Sequence, residues 1–477
     1  MRSSALPAIL GLTALLTCTS HAAIKLGPGA HLFVDDYLVA ASKGVTSTLH
    51  HPEPMADPII DCATSPDENQ GGTCTVVRDP VTGKYLMWYS LLSDTRIDLG
   101  YIESNDGIHW IRPHKRVLDI NGFGCCILDE GPGFADKSRR FKLGYWEQLD
   151  TVRYTVSKAV GMCVAFSPDG VSWTRYDGNP VLPDLWKYSP EVDPAHIGDP
   201  RFKQTASDIV DTAYDPVRKR YVAAIKSYTQ PPTEFGPVSK TYEYGRRLVS
   251  WSTSKDYIHW STPRRIVVPD SKDEGSIEFY GIALKPKGDL MLGYLRVLRD
   301  DIGEGIGYTV LAFSRDGGDH WTRQREPFLD RNPADGSWDG AMRWIGSSLT
   351  VGDKEYIYYG AYNQGHKTGE RRLGVAFLRK DGYVSRDAGD KPGSIVTPLV
   401  TLAAKRLTVN ARVGGSLKVR LLDAAGKAIK GFGWTAVTGD SVALPVRWTR
   451  NMKALAGKPV KIEFAMRSAQ VYGFGLE

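Results

Sequence analysis

Short runs of alternating apolar and polar residues, separated by polar turns, fill most of the chain. Residues 72–90 show this clearly, because GTCTVVR and KYLMWYS have the composition of two strands and the Asp-Pro and Thr-Gly dipeptides between them mark a turn. Similar strand pairs occupy residues 125–147, 207–228, 277–298 and 339–362. The pattern predicts repeated units of paired strands, and helical periodicity is rare.

A second repeated sequence closes each unit, a turn of the form Ser-x-Asp-Gly-x-x-Trp or a close variant. Copies end at Trp110, Trp173, Trp260 and Trp321, and a degenerate copy places Tyr383 at the comparable point. The Asp can accept hydrogen bonds from backbone N–H groups ahead of it, the Gly supplies a positive φ, and the Trp packs between neighbouring sheets. The Asp residues of these turns are therefore predicted to be structural; they are Asp106, Asp169, Asp256 and Asp316.

The spacing of these turns predicts an all-β fold, a five-bladed β-propeller followed by a small β-sandwich domain. The turns recur roughly every 60 residues, as propeller blades do, and the longer interval before Trp260 indicates an insertion at 185–204. Residues 24–40 are expected to form a first strand, a candidate for closing the ring of blades. After Asp387 the alternating segments predict the sandwich. We therefore expect the propeller over 23–390 and the sandwich over 391–477.

The N-terminus has the features of a secretory signal peptide. Arg2 supplies the positive charge, Ala8–Leu16 the apolar core, and Ser20-His21-Ala22 a small-x-small cleavage site. We expect a signal peptide over 1–22, cleavage after Ala22, and a secreted or periplasmic protein. A lipoprotein anchor at Cys18 is the alternative. No other apolar run is long enough to span a bilayer.

Charge and cysteine usage narrow the partners. The formal net charge is +6 and the basic residues are scattered, which excludes a nucleic-acid-binding face but stays compatible with an anionic glycan. Cys62 and Cys74 are candidates for a disulfide in an exported protein. No Cys/His spacing resembles a zinc site, so no cofactor or metal is predicted. A structural calcium ion stays open, because its oxygen ligands leave no sharp sequence signature.

Acidic residues lie just before or within the predicted inner strand of each unit. In a propeller, such positions converge at one end of the central channel. Single carboxylates are usually solvated or turn-forming, but recurrence at equivalent points favours a functional set. Hydrolysis of a glycosidic bond needs two carboxyl groups, one acid and one base or nucleophile. The candidates are Asp67, Glu68, Asp129, Glu130, Asp208, Asp211, Glu274, Glu278 and Asp339.

Three of these residues are the predicted catalytic groups. Glu278 is the general acid, because its apolar neighbours would raise its pKa. Glu68, before the first unit, is the base or nucleophile. Asp208 completes the set. Asp208 and Asp211 lie three apart on an extended segment, so only one of them is expected to face the channel, and we favour Asp208.

A sugar site also needs flat apolar platforms and a hydrogen-bonding rim. Trp338 and Trp344 are further candidates by position, with core packing as the alternative for Trp344. His366 lies in the loop sequence NQGHKTGE, where an ordinary surface histidine is the alternative. The predicted substrate-binding residues are Asp211, Tyr280, Asp339, Arg343 and His366.

The last unit and the tail carry a family resemblance. EYIYYGAY, RRLGVAFLRKDGYVS and LTVNARVGGSLKVRLLD, with LFVDDYLV near the start, resemble secreted five-bladed-propeller glycoside hydrolases, the broad group containing fructan hydrolases, arabinanases and xylosidases. The resemblance implies a propeller that hydrolyses a polysaccharide or oligosaccharide. The Asn-Asp-Pro-Asn type signature of fructan hydrolases is absent, and TSPDENQGG stands near that point. No catalytic residue is transferred from the family.

Three other functions are compatible with the sequence, because a propeller alone does not specify one. The first is a non-catalytic glycan-binding propeller. The second is sialidase-like chemistry, since the repeated turn resembles the Asp-box of sialidases; Tyr280 would be the nucleophile beside Arg296 and Arg343. The third is a polysaccharide lyase, with Tyr280 as base and Arg343 neutralising a uronate.

Overall fold

The structure is a computed structural model that describes residues 22–61, 70–92, 97–120, 122–148, 160–183, 207–228, 246–366 and 368–477. The described residues are almost entirely β-strand and turn, with two short 3₁₀ helices at Lys137–Arg139 and Met452–Leu455. The all-β prediction is confirmed. None of the helices in these ranges has the length and hydrophobicity needed to cross a membrane.

Six short strands open the described chain and serve two different sheets. β1 to β4 pair with strands near the C-terminus, whereas β5 and β6 pair with a strand at residues 371–379. Residues 24–40 therefore do not close a ring of repeated units; the two-residue strands after them extend the last unit instead. The bounds are β1 Ile24–Leu26, β2 Gly29–Leu32, β3 Ala41–Lys43, β4 Thr46–Leu49, β5 Glu53–Pro54 and β6 Ile60–Asp61.

Units 1 to 3 are antiparallel sheets whose strands follow chain order. Unit 1 comprises β7 Gln70–Arg78, β8 Tyr85–Leu92, β9 Ile97–Ser104 and β10 Trp110–Ile120. Unit 2 comprises β11 Gly122–Asp129, β12 Phe141–Gln148, β13 Val160–Ser167, β14 Thr174–Arg175 and β15 Leu182–Pro183. Unit 3 comprises β16 Val210–Asp215, β17 Arg220–Tyr228, β18 Arg247–Ser254 and β19 Arg264–Val267.

Units 4 and 5 repeat the arrangement and are joined by a single parallel residue pair, Gly307 with Met342. Unit 5 gains its outer strands from β5 and β6, which pair with β26. Unit 4 comprises β20 Glu278–Lys287, β21 Leu290–Arg299, β22 Ile306–Ser314 and β23 Thr322–Arg323. The other strands of unit 5 are β24 Met342–Val351, β25 Lys354–Tyr362 and β26 Arg371–Arg379.

The five units contact one another in cyclic order. The first strands do so as β7 with β11, β11 with β16, β16 with β20, β20 with β24, and β24 again with β7. Each neighbouring pair of units also shares its own buried apolar cluster. Between units 5 and 1, for example, Trp110 packs edge-on against Tyr358 with ring centroids 6.4 Å apart. The ring of units is closed by side-chain packing.

The remaining strands form a ten-stranded terminal sheet that draws on both ends of the chain. Its longest members are β30 and β32, and β2 pairs with β32 at the sheet's centre. Burial alternates along β32, which gives this strand one face in an apolar core of its own. The added strands are β27 Val384–Ala388, β28 Gly393–Val396, β29 Val400–Leu402, β30 Leu407–Leu422, β31 Thr435–Val446 and β32 Pro459–Leu476.

The repeated turns form the hydrogen bonds that their sequence predicts. Asp106 Oδ1 accepts from the backbone N–H groups of Ile108 and His109 at 2.9 and 2.8 Å. The Asp residues of the three other turns do the same at 2.7–3.0 Å. Gly170 has φ +80° and its carbonyl accepts from Trp88 Nε1 at 2.7 Å, so this turn also joins unit 2 to unit 1.

These turns make stability sensitive to acid. Partial burial raises the pKa of Asp316, but hydrogen bonds from His320 and Ser314 lower it more, to about 2. Burial likewise raises the pKa of Asp79, and Arg140 and Thr82 bring it down to about 2. The pKa of Asp in an unfolded chain is about 3.9. As the pH falls from there towards about 2, the unfolded chain binds more protons than the folded chain.

We therefore expect the melting temperature to be steady above about pH 5 and to fall as the pH drops towards about 2. Circular dichroism between pH 5 and pH 2.5 measures this. Asp316→Asn should lower the melting temperature at pH 5 and flatten its dependence on pH. A variant with the same acid dependence as the parent would contradict the assignment.

Candidate active site

A cluster of buried charged side chains lies where the first strands of units 3, 4 and 5 begin. Glu278 is the first residue of β20, and Asp300 follows β21, its antiparallel partner. Arg247 begins β18 in unit 3, and His366 follows β25 in unit 5. Antiparallel pairing therefore brings groups from three units to one end of the ring.

Arg247 is the centre of this cluster. Its Nη1 ion-pairs Glu278 Oε2 and lies 3.3 Å from Asp300 Oδ2. The side chains of Arg247 and Glu278 are both 0% exposed. Burial raises the pKa of Glu278, and the charge of Arg247 opposes this only in part. Glu278 Oε1 has no hydrogen-bond partner among the described residues. The balance of these effects favours the protonated form of Glu278 more than in an exposed glutamate.

His366 connects the cluster to an aromatic wall. Its Nδ1 lies 3.1 Å from Asp300 Oδ1, and its Nε2 lies 3.3 Å from the Tyr280 hydroxyl. A neutral imidazole protonated at Nδ1 donates to Asp300 and accepts from Tyr280, which satisfies all three groups. The Tyr280 ring packs on Trp344 with centroids 4.5 Å apart. His366 is buried in this network, so it is not the ordinary surface histidine that the sequence left as an alternative.

Asp208 joins the same cluster through Lys226. The Lys226 ammonium ion-pairs Asp208 and lies 4.1 Å from the centroid of the Tyr280 ring. Burial raises the pKa of Asp208. Lys226 and a hydrogen bond from Ser207 lower the pKa by more than burial raises it, so the net shift is downward. The Asp208 side chain is 24% exposed, in contrast to Glu278. The pKa values of Asp208 and Glu278 are therefore shifted in opposite directions within one cluster.

Asp211 lies deeper, in the central cavity, rather than in the cluster. It accepts two hydrogen bonds from Arg296, both 2.9 Å, and Arg296 Nε also donates to the Ile345 carbonyl at 2.8 Å. Burial raises the pKa of Asp211 despite Arg296. The cavity holds about 10 Å³, which is close to one water molecule. Of the two aspartates, Asp211 faces the centre of the ring and Asp208 reaches the cluster.

Cysteine thiols also line this cavity. Cys74, Cys125 and Cys126 are free thiols, and burial raises the pKa of Cys126 to about 11. The candidate bridge from Cys62 to Cys74 is therefore not formed at Cys74, and Cys62 lies outside the described residues. Across the described ranges, no three His, Cys, Asp or Glu residues are grouped closely enough to hold a metal ion.

Asp339 and Arg343 are placed in a different site, a cleft beside the start of β24. Arg343 Nε donates to Asp339 Oδ2 at 2.7 Å, and Ser337 donates to Asp339 Oδ1 at 2.6 Å. Arg343 Nη1 donates to the Asp330 carbonyl at 2.9 Å. Arg296 and Arg343 therefore bind different carboxylates, and they do not form the arginine cluster expected for a sialidase-like site.

Glu68, the predicted base or nucleophile, lies outside the described residues, as does Asp67. Asp129 ends β11 and pairs with Arg140, so it lies at the opposite end of the ring from Glu278. The structure brings together Asp208, Glu278, Tyr280 and His366. Their catalytic and binding roles stay predictions.

Sequence reasoning missed the three charged residues that hold the cluster together: Arg247, Asp300 and Lys226. Arg247 lies in the alternating strand RLVSWSTS, where a charge at a strand start is ordinary. Asp300 lies in the turn sequence RDD, and Lys226 faces inward within an apolar strand. A lysine among apolar residues of a buried strand was the one usable signal, because a lysine that is fully buried needs a partner.

Comparisons with known proteins complete the description. No known protein family matches the chain, and no curated protein matches it. Among solved structures, the chain is similar to a glycosyl hydrolase from Bacteroides ovatus, with 15% identity, 74% of this chain and 93% of that chain covered, and a TM-score of 0.40. It is similar to the β-1,2-mannobiose phosphorylase from Listeria innocua, with 11% identity, 69% and 96% covered, and a TM-score of 0.45.

A third similar structure is the N-acetylgalactosamine deacetylase from F. plautii in complex with blood group B trisaccharide. The two sequences are 17% identical. The match covers 71% of this chain and 96% of the deacetylase, with a TM-score of 0.41. At these identities and TM-scores, the similarity assigns neither a substrate nor a reaction to this chain.

Proposed function

We propose that this chain is an exported glycoside hydrolase acting on a polysaccharide or oligosaccharide. The observation that carries the proposal is the opposite pKa shift of two carboxyl groups in one cluster. The pKa of Glu278 is raised and that of Asp208 is lowered, and both groups are linked through side chains that contact Tyr280. One protonated and one ionised carboxyl group are what acid and base roles require.

The fold supports a site of this kind. Five units in closed cyclic contact, the last completed by strands from the start of the chain, fit a five-bladed β-propeller over 23–390. The terminal sheet has its own apolar core and fits a small β-sandwich at 391–477, with added strands β1 to β4 and β27 from before residue 391. In this proposal the cluster belongs to one mouth of the central channel, and we expect sugars to approach the strand starts from there.

The proposed chemistry uses the cluster directly. Glu278 gives its proton to the oxygen of the leaving sugar, and Asp208 acts on water or on the anomeric carbon from the other side. Glu68 is an alternative for this second role. Tyr280 and Trp344 pack on each other, and we expect a sugar ring to contact their edges. His366 orients the Tyr280 hydroxyl through its bond to Asp300. Asp211, held by Arg296, would keep the shape of the central cavity below the cluster.

Export and the absence of a cofactor are part of the same proposal. Residues 1–22 would act as a signal peptide, which places the enzyme outside the cytoplasm. The acid–base chemistry described above is complete without a metal ion or an organic cofactor.

The proposal is tested by incubating the mature protein with a panel of polysaccharides and oligosaccharides and measuring new reducing ends. We expect one glycan class to be cut, and Asp208→Asn to reduce the rate roughly 100-fold or more. Asp215→Asn is the matched control, because Asp215 is a buried aspartate at the far end of the neighbouring β16. Equal rates for Asp208→Asn and the parent would remove Asp208 from the mechanism.

A second candidate function, a non-catalytic glycan-binding propeller, is favoured by one observation. Glu278 and Arg247 are both fully buried and ion-paired, which also fits a structural role for the pair. In that case the protein would bind a glycan of the panel without releasing any reducing ends, and Glu278→Gln would change melting temperature alone.

A further inference from the structure

A cleft of about 560 Å³ opens beside unit 5, and its volume lies in the range of small-molecule sites. One wall is Pro54–Ala56, the segment that includes the end of β5. The opposite wall is the connection from unit 4 to unit 5, over residues 331–339. Arg343, the second residue of β24, also lines the cleft. The cleft therefore lies at the same end of the ring as the charged cluster.

Trp338 gives the cleft a rigid flat wall. Its ring lies nearly parallel to that of Tyr359, at 15° with centroids 5.9 Å apart. Its indole N–H donates to the Ala56 carbonyl at 2.8 Å, which joins the two walls. The ring remains partly exposed. Because its orientation is set before any ligand arrives, little entropy is lost when a ligand packs on it.

The polar lining is oriented and electrically balanced. Asp339 and Arg343 form an ion pair at 2.7 Å, and the Tyr359 hydroxyl lies 3.4 Å from Asp339 Oδ2. Arg331 donates to the Gly340 carbonyl at 3.0 Å. Two arginines and two aspartates, Asp335 and Asp339, line the cleft, so their formal charges cancel. Such a surface suits hydroxyl groups of a neutral ligand better than a carboxylate or a phosphate.

One strand separates this cleft from the charged cluster. Arg343 and Trp344 are consecutive residues of β24, so their side chains point to opposite faces. Arg343 lines the cleft, and Trp344 packs on Tyr280 in the cluster. The cleft and the charged cluster therefore lie on opposite faces of the start of β24.

We infer that the cleft is a second saccharide site, which binds a neutral sugar unit of a polysaccharide chain against Trp338. The aromatic face meets the apolar face of the sugar ring, and Asp339, Arg343 and Arg331 meet its hydroxyls. This inference rests on the proposed function only in taking a glycan as the ligand of both sites; binding in the cleft itself requires no turnover.

Affinity electrophoresis in acidic native gels tests the inference, with soluble xylan, arabinan and glucomannan as neutral probes and polygalacturonate as the charged comparator. We expect retardation by a neutral glycan, and Trp338→Ala should weaken apparent binding about tenfold. Ala334→Tyr is a second variant, because Ala334 is an exposed lining residue and a larger side chain fills the cleft without removing packing. Trp434→Ala is the matched control, since Trp434 is 41% exposed on the terminal sheet.

The outcomes separate the two proposals. If Trp338→Ala or Ala334→Tyr loses binding while Trp434→Ala keeps it, the cleft site is supported, even where no glycan is cut. If both cleft variants bind like the parent, the cleft site is overturned while measured hydrolysis still supports the proposed function. Retardation of the parent by polygalacturonate alone, or by none of the probes, also overturns it.

Discussion

Glu278→Gln is expected to reduce glycan hydrolysis by roughly 100- to 10,000-fold, the usual contribution of a general acid. Glutamine keeps the shape of the side chain but has no acidic proton to give. Burial raises the pKa of Glu278, which favours the protonated form that the variant cannot adopt. Release of reducing ends from a responsive glycan measures the loss.

Two control measurements are needed for this variant: glycan binding and the fraction of folded protein. Removing a carboxylate from a buried ion pair costs about 3–5 kcal/mol, so rates must be divided by the folded fraction at the assay temperature. Arg247 keeps its contact with Asp300, which limits the damage. Hydrolysis equal to that of the parent, after this correction, would exclude Glu278 as the acid. Loss of activity together with loss of glycan binding would indicate a positioning role.

Glu355→Gln is expected to destabilise the fold by about 3–5 kcal/mol without reducing hydrolysis per folded molecule. Glu355 is also 0% exposed, and it pairs with Lys285 at 2.5 Å and Lys287 at 3.3 Å between units 4 and 5. Burial lowers the pKa of Lys285 to about 8, although Glu355 opposes this. Without Glu355, Lys285 loses its ion-pair partner, whereas Lys287 keeps Asp381.

Urea unfolding followed by tryptophan fluorescence measures this effect. Glu274→Gln is the matched control, because Glu274 is exposed and its loss should change stability by no more than about 0.5 kcal/mol. The variants of the two buried glutamates also serve as controls for each other. Glu278→Gln should reduce turnover, and Glu355→Gln should reduce stability. A Glu355→Gln variant as stable as the parent would contradict the predicted role of Glu355.

Local features were readable from the sequence because their hydrogen bonds span few residues. The Asp of each repeated turn binds N–H groups two to four residues ahead, so spacing alone predicts the geometry. The strand pairs were equally visible through alternation and turn residues. Asp208, Glu278, Tyr280 and His366 were found as candidates because they lie at strand starts or in the loop between two strands.

Long-range features were not readable. The ion pair of Arg247 with Glu278 joins units 3 and 4, and its existence depends on how neighbouring sheets pack. β5 and β6 have two residues each, too few to show any periodicity, although they complete unit 5. β1 to β4 have ordinary strand composition, which says nothing about whether their partner lies nearby or several hundred residues away.

The pairing of β2 with β32 determines the order in which parts of the protein can fold during synthesis. A ribosome makes Gly29–Leu32 long before Pro459–Leu476, so the first strands have no hydrogen-bonding partner until synthesis is nearly finished. Units 1 to 4 can form as they emerge, since their strands pair with sequence neighbours. The terminal sheet forms last and joins both ends of the chain. A truncation that removes β32 would therefore deprive β2, near the beginning of the protein, of its hydrogen-bonding partner.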